Sequence, residues 1–216
     1  IRDGSPDAWG RRVIINRLAG ANADPASPPD IGELTFLLQS GSDRILKKMN
    51  RQYTAEKYLE IVGKLKSLIP DITFSTDIIV GFPGETDEDF NATREVMDKV
   101  AFDNAYIFKY SPRTGTPAAK MKDQVPQKEK EDRNQILLAD LKQRTASHNA
   151  AYVGTVVEVL AEGPSKRNAA KWSGRTSNAK MTIFPPVDGF KSGDLVKVKV
   201  ERATPVTLFG EIVISC

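Results

Sequence analysis

The chain has 216 residues, 40% of them apolar and 27% charged, with 31 Lys+Arg against 28 Asp+Glu. That composition excludes a disordered or fibrous protein and predicts a packed globular chain, one large domain or a medium one plus a small one. The single cysteine, Cys216, excludes a disulfide framework or a Cys-rich metal site within these residues, and no apolar run approaches the ~20 residues that span a bilayer.

Residues 1–33 are broken by Pro6, Pro25, Pro28 and Pro29 and by Gly4, Gly10, Gly20 and Gly32, so no period is sustained. Arg12–Leu18 could form a short element; the remainder is expected to be loop or poorly ordered, and Ile1–Gly10 lacks the pattern of a signal peptide. Leu34–Leu38 reads as a short strand buried on both faces. Ser42 is placed to cap a helix over Asp43–Met49. Thr54 caps a second helix, whose stripe is Tyr58, Ile61, Val62, Leu65, Leu68 and Ile69, with Pro70 as its stop.

Ile72–Val80 is rich in β-branched residues and reads as a central strand. Gly81-Phe-Pro-Gly84 forces a loop, and Thr86 with Asp89 resembles a capping box opening a helix with Phe90, Thr93, Met97 and Val100 on one side. Ala105–Phe108 is a further strand. Pro126 opens a long polar helix over residues 127–150, anchored by Ile136, Leu137 and Leu141. The alternation of strand and helix predicts a parallel sheet covered by helices. Ligand sites of such sheets lie at the carboxyl ends of the strands, where Gln39–Ser42, Gly81–Thr86 and Tyr110–Ala118 fall.

From Val153 the period changes to two. Val196, Val198 and Val200 alternate with Lys197, Lys199 and Glu201, and Gly163-Pro, Pro185-Pro and Gly193-Asp separate short strands. A small all-β barrel is expected. Residues 1–145 hold 22 basic and 22 acidic side chains, residues 146–216 hold 9 and 6, so the whole excess of +3 lies in the barrel segment. Solubility alone would explain three charges; their placement is also what an appended nucleic-acid-binding module gives. His148 reads as a solvated surface residue and Cys216 as a frayed terminal thiol.

Gly81 and Gly84 permit close backbone approach to a ligand, or serve a tight strand-to-helix turn. There is no G-x-G-x-x-G and no P-loop lysine, which disfavours a dinucleotide or nucleoside-triphosphate phosphate site. Gln39-Ser-Gly-Ser42 offers an amide and two hydroxyls for a ribose or an amino-acid head group, or a helix cap. Arg113, in a Pro-bounded polar loop, suits a carboxylate or phosphate, or is a solvated turn residue. Lys166, Arg167, Lys171, Arg175 and Lys180 with Trp172 among them form either a phosphate-binding, base-stacking surface or a solvated hairpin.

Five motifs occur in one order: Gln39-Ser-Gly-Ser42, Met49-Asn-Arg51, Ser75–Thr86, Tyr110–Ala118 and Asp123-Gln-Val-Pro126. Together they resemble the radical-SAM methylthiotransferases, nearest to members acting on isopentenyladenosine in tRNA, and Gly154–Val213 resembles the TRAM domain those enzymes carry. The resemblance implies an α/β fold, part of a TIM-like barrel over residues 34–145, then an OB-like TRAM barrel over 146–216, with 1–33 divergent. It implies S-adenosylmethionine as cofactor, with Gln39 and Ser40 lining its pocket, Asp77, Gly81 and Gly84 shaping the adenosine side and Arg113 at the mouth. The implied reaction is C2 methylthiolation of an adenosine beside the anticodon. Partners would be a tRNA anticodon stem-loop, bound by the six barrel residues, and an electron-donor protein; the setting would be cytoplasmic.

The family's [4Fe-4S] clusters are held by cysteine triplets that these residues lack, so no metal or catalytic residue is assigned. A fragment, a divergent junction or an upstream reading-frame error would each explain that, and this chain alone is expected to be silent. Two alternatives stand beside this reading: a methylthiotransferase for another tRNA adenosine or a ribosomal protein, and a non-catalytic RNA-binding protein.

Overall fold

The computed structural model describes residues 14–15, 32–69, 71–186 and 189–213. Most of the N-terminal segment, Pro70 and Cys216 lie outside the described residues. The described residues divide into two compact units, one that holds 14–15 and 34–141 and one that holds 32–33 and those from 142 on.

The first unit is built on a four-stranded sheet in the order β1 (Ile14–Ile15), β2 (Glu33–Thr35), β3 (Thr73–Val80), β4 (Asn104–Lys109). β1 and β2 are antiparallel; β3 and β4 are parallel, registered from Ser75 opposite Asn104 to Val80 opposite Lys109. Period two sets the faces: Phe74, Thr76, Ile78 and Val80 are fully buried, while Asp77 and Ile79 on the other face are partly exposed. The regular part of β2 is shorter than the apolar run suggests, and its neighbours explain why. Tyr58 Oη donates to Phe36 O at 2.6 Å, Tyr53 Oη to Leu37 O and Leu38 O, and Leu38 N donates to Thr76 Oγ1. Phe36 N still donates to Ser75 O, but side chains take the next places on the ladder until Gln39, bridged in parallel to Ile78.

Helices follow where capping chemistry places them. Ser42 accepts from Ile45 N at the start of α1 (Asp43–Lys48), and Thr54 from Lys57 N at the start of α2 (Ala55–Leu68). Thr86 and Asp89 close the expected capping box on α3 (Asp87–Val100). Leu68 does not join the α2 stripe: it is 77% exposed, so the buried face ends a turn earlier. α4 (Gln127–Ala150) corrects another expectation, because Ile136 is exposed and the buried side of its first half is Lys130, Arg133, Asn134, Leu137 and Leu141. Asn134 Nδ2 donates 2.9 Å to Ile107 O on β4, the last strand of the sheet.

The second unit is a closed barrel in the order β5 (Val156–Ser165), β6 (Asn168–Arg175), β7 (Met181–Phe184), β9 (Thr207–Ile212), β8 (Leu195–Thr204). Alternation fills it with Val159, Ala161, Phe184, Val196 and Val198, against which Val157, Trp172 and Ile212 pack. Gly163-Pro164 is not a strand boundary but lies inside β5, at a register shift that bends the strand. Pro185 and Gly193-Asp194 do bound strands. His148 is half-buried and partnered rather than solvated.

Candidate functional site

Because the pairing around β3 is parallel on both sides, the loops that follow Gln39, Val80 and Lys109 leave the sheet at one end. Two of them are fastened together by the start of α3. Ser42 Oγ donates to Asp89 Oδ1 at 2.6 Å, Asp89 Oδ2 accepts from Thr86 N, and Arg44 bonds both Asp89 oxygens and Gly84 O. Gly41 N donates to Thr93 Oγ1, one turn further on. Burial alone would raise the Asp89 carboxyl, but Arg44, Ser42 and Thr86 together hold it well below the usual carboxylate range.

A second anchor comes from α4. Glu85 is buried, and its Oε2 accepts from Gly81 N at 2.6 Å and Arg133 Nη1 at 2.9 Å. Arg133 also pairs with Asp87 and Glu129, and its guanidinium lies over the Phe90 ring. Desolvation pushes the Glu85 carboxyl up, and the Gly81 N–H and Arg133 oppose that. Gly81 and Gly84 both have positive φ, +70° and +77°. A Cβ at Gly81 would strike the Lys130 side chain, and one at Gly84 would strike Asp123 and Lys48. The groups these glycines approach in the structure are therefore the chain's own side chains.

Gln39 is buried with a left-handed φ of +64°, a backbone state that non-glycine residues adopt mainly under local constraint. Its Oε1 accepts from Arg51 Nη2 at 2.9 Å, which leaves the amide NH2 as the donor, and Arg51 Nε is buried without a partner. Ser40 is fully buried, its hydroxyl near Thr93 Oγ1 and accepting from Ser42 N. Asp77 is partly buried and its carboxyl is raised by that burial. Arg113 is exposed and forms no ion pair among the described residues. Gln39, Ser40, Gly81 and Gly84 are thus brought to one edge with Asp77 one residue down the strand, and Arg113 stands in the neighbouring loop.

Sequence reasoning passed over Arg51, Glu85, Asp89 and Arg133 as functional supports. Arg51 was visible only as a motif member. Arg133 carried no local signal, because its partner Glu85 lies 48 residues away and the buried stripe around it is half polar.

On the barrel, Lys166 and Arg167 occupy the exposed turn between β5 and β6, and Lys171 is partly exposed. Arg175 is exposed and pairs with Glu162 at 3.1 Å. The other two expected contacts are placed differently. Trp172 is partly buried, registered with buried Phe184 and packed against the barrel core. Lys180 is 8% exposed and already partnered.

The family model for the radical SAM superfamily matches residues 15–97, and that for the TRAM domain matches residues 150–213. A tRNA-2-methylthio-N(6)-dimethylallyladenosine synthase of Akkermansia muciniphila is 49% identical over 183 residues, covering 85% of this chain and 40% of that protein. The chain carries a radical SAM superfamily segment followed by a TRAM domain. Synthases of the same name from Opitutus terrae and Acetivibrio thermocellus are 50% and 51% identical, over 87% and 81% of this chain and 39% and 36% of theirs. The chain thus spans about 40% of the length of the first of these relatives. Among solved structures, coproporphyrinogen III oxidase (HemN) from Escherichia coli, a radical SAM enzyme, covers 68% of this chain and 41% of its own, with TM-score 0.46 and 14% identity.

An iron–sulfur cluster does not fit the residues present. The chain has one cysteine, and no group of three or more metal-ligating side chains occurs among the described residues. S-adenosylmethionine does fit the donor set: a buried guanidinium nitrogen without a partner beside an amide donor suits a carboxylate and hydroxyls. Among the described residues no helix is long and apolar enough to cross a membrane.

Proposed function

We propose that residues 34–145 form the S-adenosylmethionine-holding part of a tRNA methylthiotransferase and residues 146–216 its RNA-gripping domain. The whole protein's reaction would be C2 methylthiolation of N6-isopentenyladenosine beside the anticodon, in the cytoplasm, with an electron-donor protein as partner. The observation that carries this reading is the joint match to radical SAM and TRAM families, in a chain about half identical to synthases of that name.

The chain's own residues have definable tasks in it. Gln39 and Arg51 would hold the cofactor's polar head group, Gln39 through its free NH2 and Arg51 through Nε. Asp77 would accept from a ribose hydroxyl or an adenine amine, with Gly81 and Gly84 giving the loop its turn and Ser40 its internal support. Arg113, exposed and unpaired, would meet the carboxylate or an RNA phosphate at the mouth. When bound, S-adenosylmethionine supplies the methyl group and the radical chemistry. Lys166, Arg167, Lys171 and Arg175 would contact phosphates of the anticodon stem-loop; Trp172 and Lys180 would support the strand and turn that carry them.

The test is a pair of titrations on the 216-residue chain. Isothermal titration with S-adenosylmethionine should show binding that Arg51→Ala and Gln39→Ala each weaken. Anisotropy with a labelled anticodon stem-loop should show affinity falling steadily with salt, the signature of displaced counterions. RNA binding that is absent at low salt, or indifferent to salt, would sink the RNA half of the reading.

A further inference from the structure

Trp172, packed against the core, leaves open which surface of the barrel would recognise a base. β8 answers it with an irregularity. Val196, Val198 and Val200 point inward in strict alternation, so Arg202 should be the next inward residue. Instead the register shifts between Val200, opposite Gly210, and Arg202, opposite Phe209. The extra residue is Glu201, and both Glu201 and Arg202 are exposed. A bulge re-aims side chains, and here it turns a cation that would otherwise enter the core onto the outer wall.

On that wall Arg202 meets a prepared surface. Its guanidinium carbon lies 3.8 Å from the Phe209 ring centroid, a stacking distance that puts it on the ring face. Phe209 is registered with Ile183 of β7, and Ile183 with Ser173 of β6, so a continuous outward row runs Ser173, Ile183, Phe209, Arg202. Arg175 and Met181 lie one row beyond. Leu208 and Thr182, between these positions, are fully buried. Among the described residues Arg202 forms no ion pair, whereas Arg175 is matched by Glu162.

An arginine held over the face of an aromatic ring has already lost much of its rotamer freedom, and this one is exposed to solvent. A guanidinium plane with free N–H donors at its edge is complementary to an unpaired nucleobase with its phosphate. A paired helix, whose bases are covered by their neighbours, has no face to offer it. We propose that the Arg202–Phe209 stack, displayed by the β8 bulge, binds an unpaired nucleotide of RNA, with the base on the guanidinium and a phosphate at its edge. This rests on the reading of the chain as an RNA binder, and it moves base recognition away from Trp172.

The experiment compares two labelled RNAs of equal length, a hairpin with an unpaired loop and a fully paired duplex, on the 216-residue chain. Variants are Arg202→Ala, Arg202→Lys, Phe209→Leu and the Lys166→Ala/Arg167→Ala pair, each checked by circular dichroism and thermal melting. Arg202→Ala should weaken hairpin binding about tenfold or more while changing duplex binding less than about threefold. Arg202→Lys should keep the wild-type salt slope yet recover less than half of the lost affinity, because it restores charge and not a plane. Phe209→Leu, which keeps apolar bulk, should fall with Arg202→Ala.

Wild-type salt-dependent binding with Arg202→Ala unchanged would overturn the proposal and leave the RNA reading standing. Equal losses on hairpin and duplex would overturn it too, reducing Arg202 to a phosphate contact. No binding by the wild-type chain would remove both.

Discussion

The two units solve the placing of polar groups in opposite ways. In the barrel, hydrogen bonding closes on itself and alternation assigns each residue to the core or the wall, so binding chemistry can only sit outside. In the sheet unit the strand ends stay open, and side chains from distant segments hold them: Asp89 accepts from the Ser42 hydroxyl, Arg133 bonds the carboxylate and carbonyl of Glu85, and two tyrosines bond the Phe36–Leu38 carbonyls. A closed lattice of strands makes a rigid support whose surface varies freely. A ledge of bonded loops makes a polar edge, each bond of which is separately breakable.

The largest expected effect tests that last statement. Arg133→Met leaves Glu85 as a buried carboxylate without its cation, and unfolding by denaturant at pH 7 should show a loss of about 3–5 kcal/mol. With its folded-state value already raised by burial and now unopposed, Glu85 should make the variant more stable as pH falls, and Glu85→Gln should rescue most of the loss. A loss that Glu85→Gln does not relieve would mean that Arg133 acts through Asp87 or Glu129 instead.

The barrel counterpart is Gly210→Ala. A Cβ there would press on the Lys199 carbonyl of the adjacent strand, where backbone cannot give, and about 2–3 kcal/mol should be lost in the same assay. A neutral result would show the barrel to be more yielding than its closure implies.

Asp89→Asn comes next, at about 1–2 kcal/mol near neutrality, because one loop-to-helix node loses its charge-assisted bonds. The sign follows from its depressed value: the carboxylate stabilises fully above about pH 4, its range when unfolded, and that contribution fades on further acidification. Melting curves of wild type and variant should therefore converge toward low pH; parallel curves would contradict the assignment. Smallest is Tyr53→Phe, about 1 kcal/mol, through the carbonyls of Leu37 and Leu38 that lose a donor.

Much of this was legible in advance, and the limits have physical causes. Caps are local, so Ser42, Thr54 and the Thr86–Asp89 box could be read within four residues. The barrel's period of two was equally visible along Val196–Val200. What escaped depended on distance or on broken rules. Leu34–Leu38 looked like a full strand because nothing nearby reveals that Tyr53 and Tyr58 take its carbonyls. The buried face of α4 was misread because Lys130, Arg133 and Asn134 are polar residues doing interior work. Trp172 was taken for a surface aromatic because the hairpin is rich in cations, although its register opposite buried Phe184 packs it against the core. Arg202 was overlooked for the converse reason, since a bulge cannot be seen in a run of alternating residues.

The bond from Asn134 to Ile107 has a consequence for how copies of this chain meet. β4 is the last strand of its sheet, and a terminal strand offers unpaired carbonyls to any extended segment that drifts against it. The amide of α4 already occupies one of them in mid-strand. An incoming strand would have to evict that amide before it could pair in register across β4, so the chain's own helix stands guard against templated association along this border.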